Sequence, residues 1–158
     1  MFSERLDEAA RAAAQPLLEG MGFALVELSI GRLKGSTRVS MIVFRRAGVG
    51  VDDCGEISRL LLPRLSTVEG LEDLSLEVSS PGIERHIKSP VEYDIFRGRG
   101  VRILAENGSE WIGGIIESTE NGTLYLSIGG VVRGFPMRAI RKARLDHTME
   151  AKEKGHAI

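Results

Sequence analysis

Apolar residues change their spacing partway along this chain. Near the N-terminus Leu6, Ala10, Ala13, Leu17 and Met21 recur at helical spacing, and the alanine-rich segment between them favours helix intrinsically. Gly20 and Gly22 supply the stop. Residues 23–30 and 38–44 have the composition of strands, with 31–36 as a hairpin loop. Asp53, followed by Glu56, forms a capping-box pattern opening a helix. The inner face of that helix would be Cys54, Ile57, Leu61, Leu65 and Val68. Pro63 lies inside it, removing a hydrogen bond and crowding the preceding turn, so a kink or break is expected near Leu62. In residues 73–79, Leu74, Leu76 and Val78 alternate with Ser75, Glu77 and Ser79, the period of a half-buried strand. The order is helix, strand, strand, helix, strand.

Beyond that point only strand patterns remain: residues 101–105, 111–118, 124–128, 131–135 and 139–145. Asn107-Gly108 and Asn121-Gly122 fall between them and suit tight hairpin turns, since both residue types tolerate positive φ. Five short strands so connected are best accommodated by a small barrel, which leaves few exposed edges. The connection, 89–100, carries a short helical turn at 90–96, and the polar end from Asp146 should fray. The pattern therefore predicts an α+β chain: an α/β domain over 1–90, then a small β-barrel domain over 91–158 with a polar tail.

The composition of 158 residues, 42% hydrophobic and 27% charged, is that of a soluble globular protein. No apolar run reaches the roughly 20 residues that cross a bilayer, and the first residues are too charged for a signal peptide. One cysteine permits no internal disulfide, which suits a reducing, cytoplasmic compartment. Both N-x-S/T sequons are then simply turns.

Catalysis finds little support. His86, His147 and His156 are scattered, and no paired cysteines suggest zinc. Cys54 sits on the packing face of its helix. Asp52 and Asp53 are better explained as helix capping than as metal ligands, although one of the pair could be a surface contact. No phosphate loop occurs, and no cofactor is implied.

Binding is better served. The net charge is −1, yet residues 133–145 hold five basic residues and no acid, whereas Asp52, Asp53, Glu56, Glu69, Glu72 and Asp73 gather in the first half. Such a chain could meet RNA phosphate with one surface and a basic protein with another. Ser80-Pro81-Gly82 predicts a rigid turn, its proline fixing one dihedral and its glycine taking a positive one. It would display Arg85 and Lys88, while Arg97, Arg99 and Arg102 lead into the barrel. In the last strand Arg138, Lys142 and Arg144 share a phase and Arg141 does not. Trp111 and Phe135 are expected in the core, not as platforms for bases. The candidate partner-binding residues are Asp52, Asp53, Arg85, Lys88, Arg97, Arg99, Arg138 and Lys142.

The unbroken run Glu77-Val78-Ser79-Ser80-Pro81-Gly82 with Arg85 beyond it resembles the signature of the ribosome maturation factor RimP family. Gly22-Phe23-Ala24-Leu25-Val26 is similar to that family's first strand. Asp52-Asp53-Cys54 with Ser58-Arg59 resembles the opening of its second helix, and Ile140-Arg141-Lys142-Ala143-Arg144-Leu145 its last barrel strand. His86 departs from the proline usual there, and Pro63 interrupts the second helix. The resemblance implies an α/β domain followed by an SH3-like or Sm-like barrel. It also implies a non-enzymatic, monomeric factor that associates with the 30S ribosomal subunit and its precursors and helps dock ribosomal protein S12 onto 16S rRNA. The alternative is an Sm-like RNA-binding regulator acting as an oligomeric ring.

Overall fold

Helix α1 (Phe2–Gly20) buries Leu6, Ala10, Ala14 and Leu18. The predicted row of Ala13, Leu17 and Met21 packs alongside as partly buried residues. These observations come from a computed structural model, which describes residues 2–150. The helix ends in a Schellman motif: Phe23 N–H donates to the Leu18 carbonyl at 2.9 Å and Gly22 N–H to that of Glu19 at 3.0 Å. Gly22 takes φ of 88°, the left-handed conformation this motif requires.

Strands β1 (Ala24–Leu33) and β2 (Ser36–Phe44) form an antiparallel hairpin longer than expected. The connection contracts from 31–36 to Lys34-Gly35, whose φ values of 50° and 83° fit a two-residue turn of the twist hairpins favour. Helix α2 (Val51–Leu65) then crosses over to β3 (Leu74–Ser79), which pairs parallel to β2. The sheet order is β1-β2-β3. Thr37, Val39, Met41 and Val43 of the central strand are buried, the three apolar ones in a core with Ala10, Ala14, Leu18, Ile57, Leu61 and Leu65. Across the sheet, Arg38 is ion-paired with Glu77, so the motif's glutamate stands on the exposed face.

Two expectations for α2 change. Its N-cap is Gly50, and Asp53 acts from the third helical position, accepting the Gly50 amide at 2.8 Å. Pro63 neither breaks nor ends the helix, which continues to Leu65. Leu62 and Pro63 lie on the exposed side, so water can solvate the carbonyl that the proline leaves unmet while Leu61 and Leu65 remain packed.

Contacts divide the chain between Pro81 and Gly82, ahead of the boundary at residue 90 that the pattern suggested. The reason is that 85–87 run along the last strand of the second unit. That unit contains α3 (Val91–Ile95), β4 (Gly100–Ala105), β5 (Trp111–Glu120), β6 (Thr123–Ile128), β7 (Val131–Pro136), a 3₁₀ turn (Met137–Ala139) and β8 (Ile140–Leu145). Pairing runs β7-β6-β5-β4-β8, and no pairing of β7 with β8 occurs among the described residues. The chain is thus α+β, helix-strand-strand-helix-strand followed by a β-rich half.

Asn121-Gly122 forms the expected tight turn, with φ of 49° and 78°. Asn107-Gly108 does not, because neither residue has positive φ; a Gly108 N–H to Ala105 carbonyl bond at 3.1 Å closes the start of a longer loop. Gly129-Gly130, with φ of 59° and 84°, makes the third hairpin. The chain does not fray at Asp146 as expected: residues 146–150 are held in place. Asp146 and Met149 are buried, and the Glu150 carboxylate accepts the Gly100 amide at 3.2 Å. The remainder of the polar tail, including His156, lies outside the described residues.

Candidate nucleic-acid interface

The segment after β3 is built by the second unit. Arg85 N–H closes a turn on the Gly82 carbonyl at 3.1 Å. Leu145 N–H then donates to the Arg85 carbonyl at 2.9 Å and Ile87 N–H to that of Ala143 at 2.8 Å, with His86 opposite Arg144 in an antiparallel bridge. This lays 85–87 along the outer edge of β8. Gly82 lacks the positive φ expected of it and has open space about its Cα. The turn therefore does not depend on glycine.

Arg85 is not displayed. Its Nε donates to Glu92 Oε1 at 2.8 Å, and the two side chains are only 7% and 3% exposed. The other carboxylate oxygen accepts the Lys88 and Ser89 amides at 3.1 and 3.2 Å. One buried carboxylate thus fixes the cation and the backbone leading into α3. Sequence reasoning passed over Glu92, although Ser89-Pro90-Val91-Glu92 spells the S-x-x-E pattern in which an acid reaches back to the first amide of a helix. Tyr93 beside it is buried, and that burial, reinforced by the charge of Glu92, pushes its pKa up to about 12. It remains a neutral phenol.

Four other arginines of this unit are paired. Arg97 pairs with Asp94 at 3.5 Å, Arg99 with Glu150 at 3.4 Å, Arg102 with Asp146, and Arg144 with Glu84 at 3.7 Å. Arg144 also lies 5.5 Å from the centre of the Trp111 ring, and Trp111 is 36% exposed instead of belonging to the core. These cations are largely neutralised in place. Arg138, Arg141 and Lys142 have no ion-pair partner among the described residues, and all three are exposed. Lys88 is exposed as well.

Arg141 joins this group because β8 is irregular. Leu104 pairs with Lys142 and Ala105 with Ile140, leaving Arg141 as an extra residue. A bulge interrupts the alternation of side chains and re-aims them, so Arg141 and Lys142 are both exposed in succession. Strict alternation had placed Arg141 out of phase; a bulge depends on pairing with another strand and leaves no local trace in the sequence.

In the first unit, Asp53 has structural tasks, accepting Arg45 Nη2 at 3.0 Å as well as the Gly50 amide, while Asp52 is exposed. Arg45 is held in turn by the Gly48 carbonyl at 3.0 Å and stacks 4.5 Å from the Phe23 ring centre. Cys54 is half-buried, and its thiol is raised above its ordinary pKa by desolvation and by the neighbouring Asp53 charge. Both effects disfavour a reactive thiolate. No cluster of ligating side chains suited to a metal ion occurs among the described residues, and no described helix is long and apolar enough to cross a membrane.

The arrangement is a short row of exposed cations on a strand edge, which can meet a polyanion, and a set of paired cations that hold the unit together. In comparison with known families, residues 13–84 match the family model described as the RimP N-terminal domain.

Proposed function

Because residues 13–84 match the RimP N-terminal domain, we propose that this chain is a RimP-type ribosome maturation factor acting without catalysis on the small subunit. It associates with the 30S particle and its precursors in the cytoplasm and assists the docking of ribosomal protein S12 onto 16S rRNA. The family match carries the reading, and the exposed basic edge of β8 supports it. On this reading the protein acts as a monomer, and the five strands of its second unit are an SH3-like or Sm-like barrel. Their number, tight turns and bulges in β5 and β8 favour such bending. Arg138, Arg141, Lys142 and Lys88 face rRNA phosphate, while exposed acids such as Asp52 face a basic ribosomal protein. Opposite charges on the two surfaces would speed encounter and reject wrong partners.

Deletion of the gene should reduce mature 30S subunits on a sucrose gradient and leave unprocessed 16S rRNA, most clearly in fast growth. A deletion strain with a normal subunit profile and normal 16S processing overturns the proposal.

A further inference from the structure

Where residues 87–90 leave the edge of β8, a pocket of about 210 Å³ opens, lined by Lys88, Tyr93, Met137, Ile140, Arg141 and Lys142 among others. Its charged lining is entirely basic. Of the acids near it in sequence, Glu92 is buried and committed to Arg85 and the backbone amides of Lys88 and Ser89, Asp94 is engaged by Thr119 and Arg97, and Glu84 by Arg144. Three cations are thus gathered from two elements by two devices: the buried Glu92 clasp, which shapes the loop bearing Lys88, and the bulge, which exposes Arg141 beside Lys142. Met137, Ile140 and Pro90 add apolar lining between them.

We propose that this pocket is a docking point for a phosphodiester of single-stranded RNA, the phosphate meeting Arg141, Lys142 and Lys88 and the adjoining nucleotide lying over the apolar lining. The inference rests on the functional reading above and deepens it by naming where RNA is held. Arg offers a planar fork suited to phosphate oxygens, whereas Lys supplies a point charge. Few aromatics line the site, so the contact should read backbone and not base sequence.

The test is fluorescence anisotropy of the full-length protein with a labelled RNA oligonucleotide over a salt titration. Replacing Arg141→Gln and Lys142→Gln together should weaken binding about tenfold at low salt and lower the slope of log affinity against log salt by about 1.4, the value for two lost phosphate contacts on a single strand. Exchanging the two charges, Arg141→Lys with Lys142→Arg, should retain most affinity. Removing two exposed charges of the first unit, Arg5→Gln with Arg59→Gln, should have little effect. Unchanged binding in the pocket variant, an equal loss in the first-unit variant, or competition by poly-glutamate as effective as unlabelled RNA each overturns the proposal. Thermal melting shows whether the pocket variant is folded; were it unfolded, Lys88→Gln alone, with about half the slope change, serves instead. The two readings separate cleanly. RNA binding lost in the pocket variant, by a protein that never co-sediments with small subunits, supports the pocket and overturns the functional reading. Co-sedimentation of the parent with RNA binding untouched by the variant does the reverse.

Discussion

Arg85 stands in a run of charged residues, Glu84-Arg85-His86, that looks like a solvated exit from a strand. Nothing local marks it as buried, because what buries it is Glu92 and the pairing of its own backbone with Leu145. Removing one partner of a buried ion pair leaves the other charged and desolvated, at a cost of about 3 kcal/mol or more. Arg85→Ala should therefore lower the urea midpoint of the second unit substantially. An unchanged midpoint would show that the pair contributes nothing. Gly82 carries the opposite expectation. With φ outside the left-handed region and open space where a methyl group would project, Gly82→Ala should alter stability by less than about 0.5 kcal/mol; a larger loss in urea unfolding would contradict this. The proline-glycine dipeptide suggested otherwise, since such pairs often form turns with positive φ; here the turn is closed by the Arg85 amide on the Gly82 carbonyl instead.

At the level of elements, apolar patterning located the described strands and both long helices, most clearly where one face is more buried than the other, as in β2 and β3. Their ends depended on less visible matters. The chain after β8 looks polar, yet Asp146 is held by Arg102 and by the Thr148 amide at 3.0 Å, and Met149 is buried. Burial alone would raise the carboxyl's pKa, but hydrogen bonds from the Thr148 and Arg102 side chains and the Thr148 amide, with the Arg102 charge, outweigh it and lower the value from 3.8 to about 2. A depressed carboxylate contributes stability above its ordinary pKa and loses it as pH falls through the folded one. The contribution, about 2 kcal/mol, should disappear between about pH 4 and pH 2. Asp146→Asn should flatten the acid limb of a stability-against-pH curve measured by urea unfolding; a limb identical to the parent's would contradict the assignment. Close approach matters nearby too. A β-carbon on Gly100 would strike the Asp146 carbonyl and come within 2.8 Å of Met149 Cβ, so Gly100→Ala should detach this end, lowering the melting temperature of the second unit.

Over the whole molecule, contacts divide the chain into two units, between Pro81 and Gly82. Their boundary was not legible, because residues 85–87 follow the first unit in sequence but pair with the last strand of the second. A fragment beginning at residue 91 would discard that pairing and leave Glu92 without Arg85. Residues 82–158 should therefore unfold cooperatively and at higher urea than 91–158; equal midpoints would mean that the segment is dispensable. The candidate site was legible only in part. Arg138 and Lys142 stand exposed as the charge run suggested, while Arg85 and Asp53 proved structural and Arg141 emerged from a bulge. Charge can be read along a chain, but whether a charge is neutralised depends on partners brought close by folding. The most direct measurement of the functional reading is co-sedimentation of the purified full-length protein with isolated small and large ribosomal subunits through a sucrose cushion, over a range of salt. The protein should pellet with the small subunit, dissociate as salt rises, and stay in the supernatant with the large one. Failure to pellet with the small subunit at low salt, or equal recovery with both, would contradict the account.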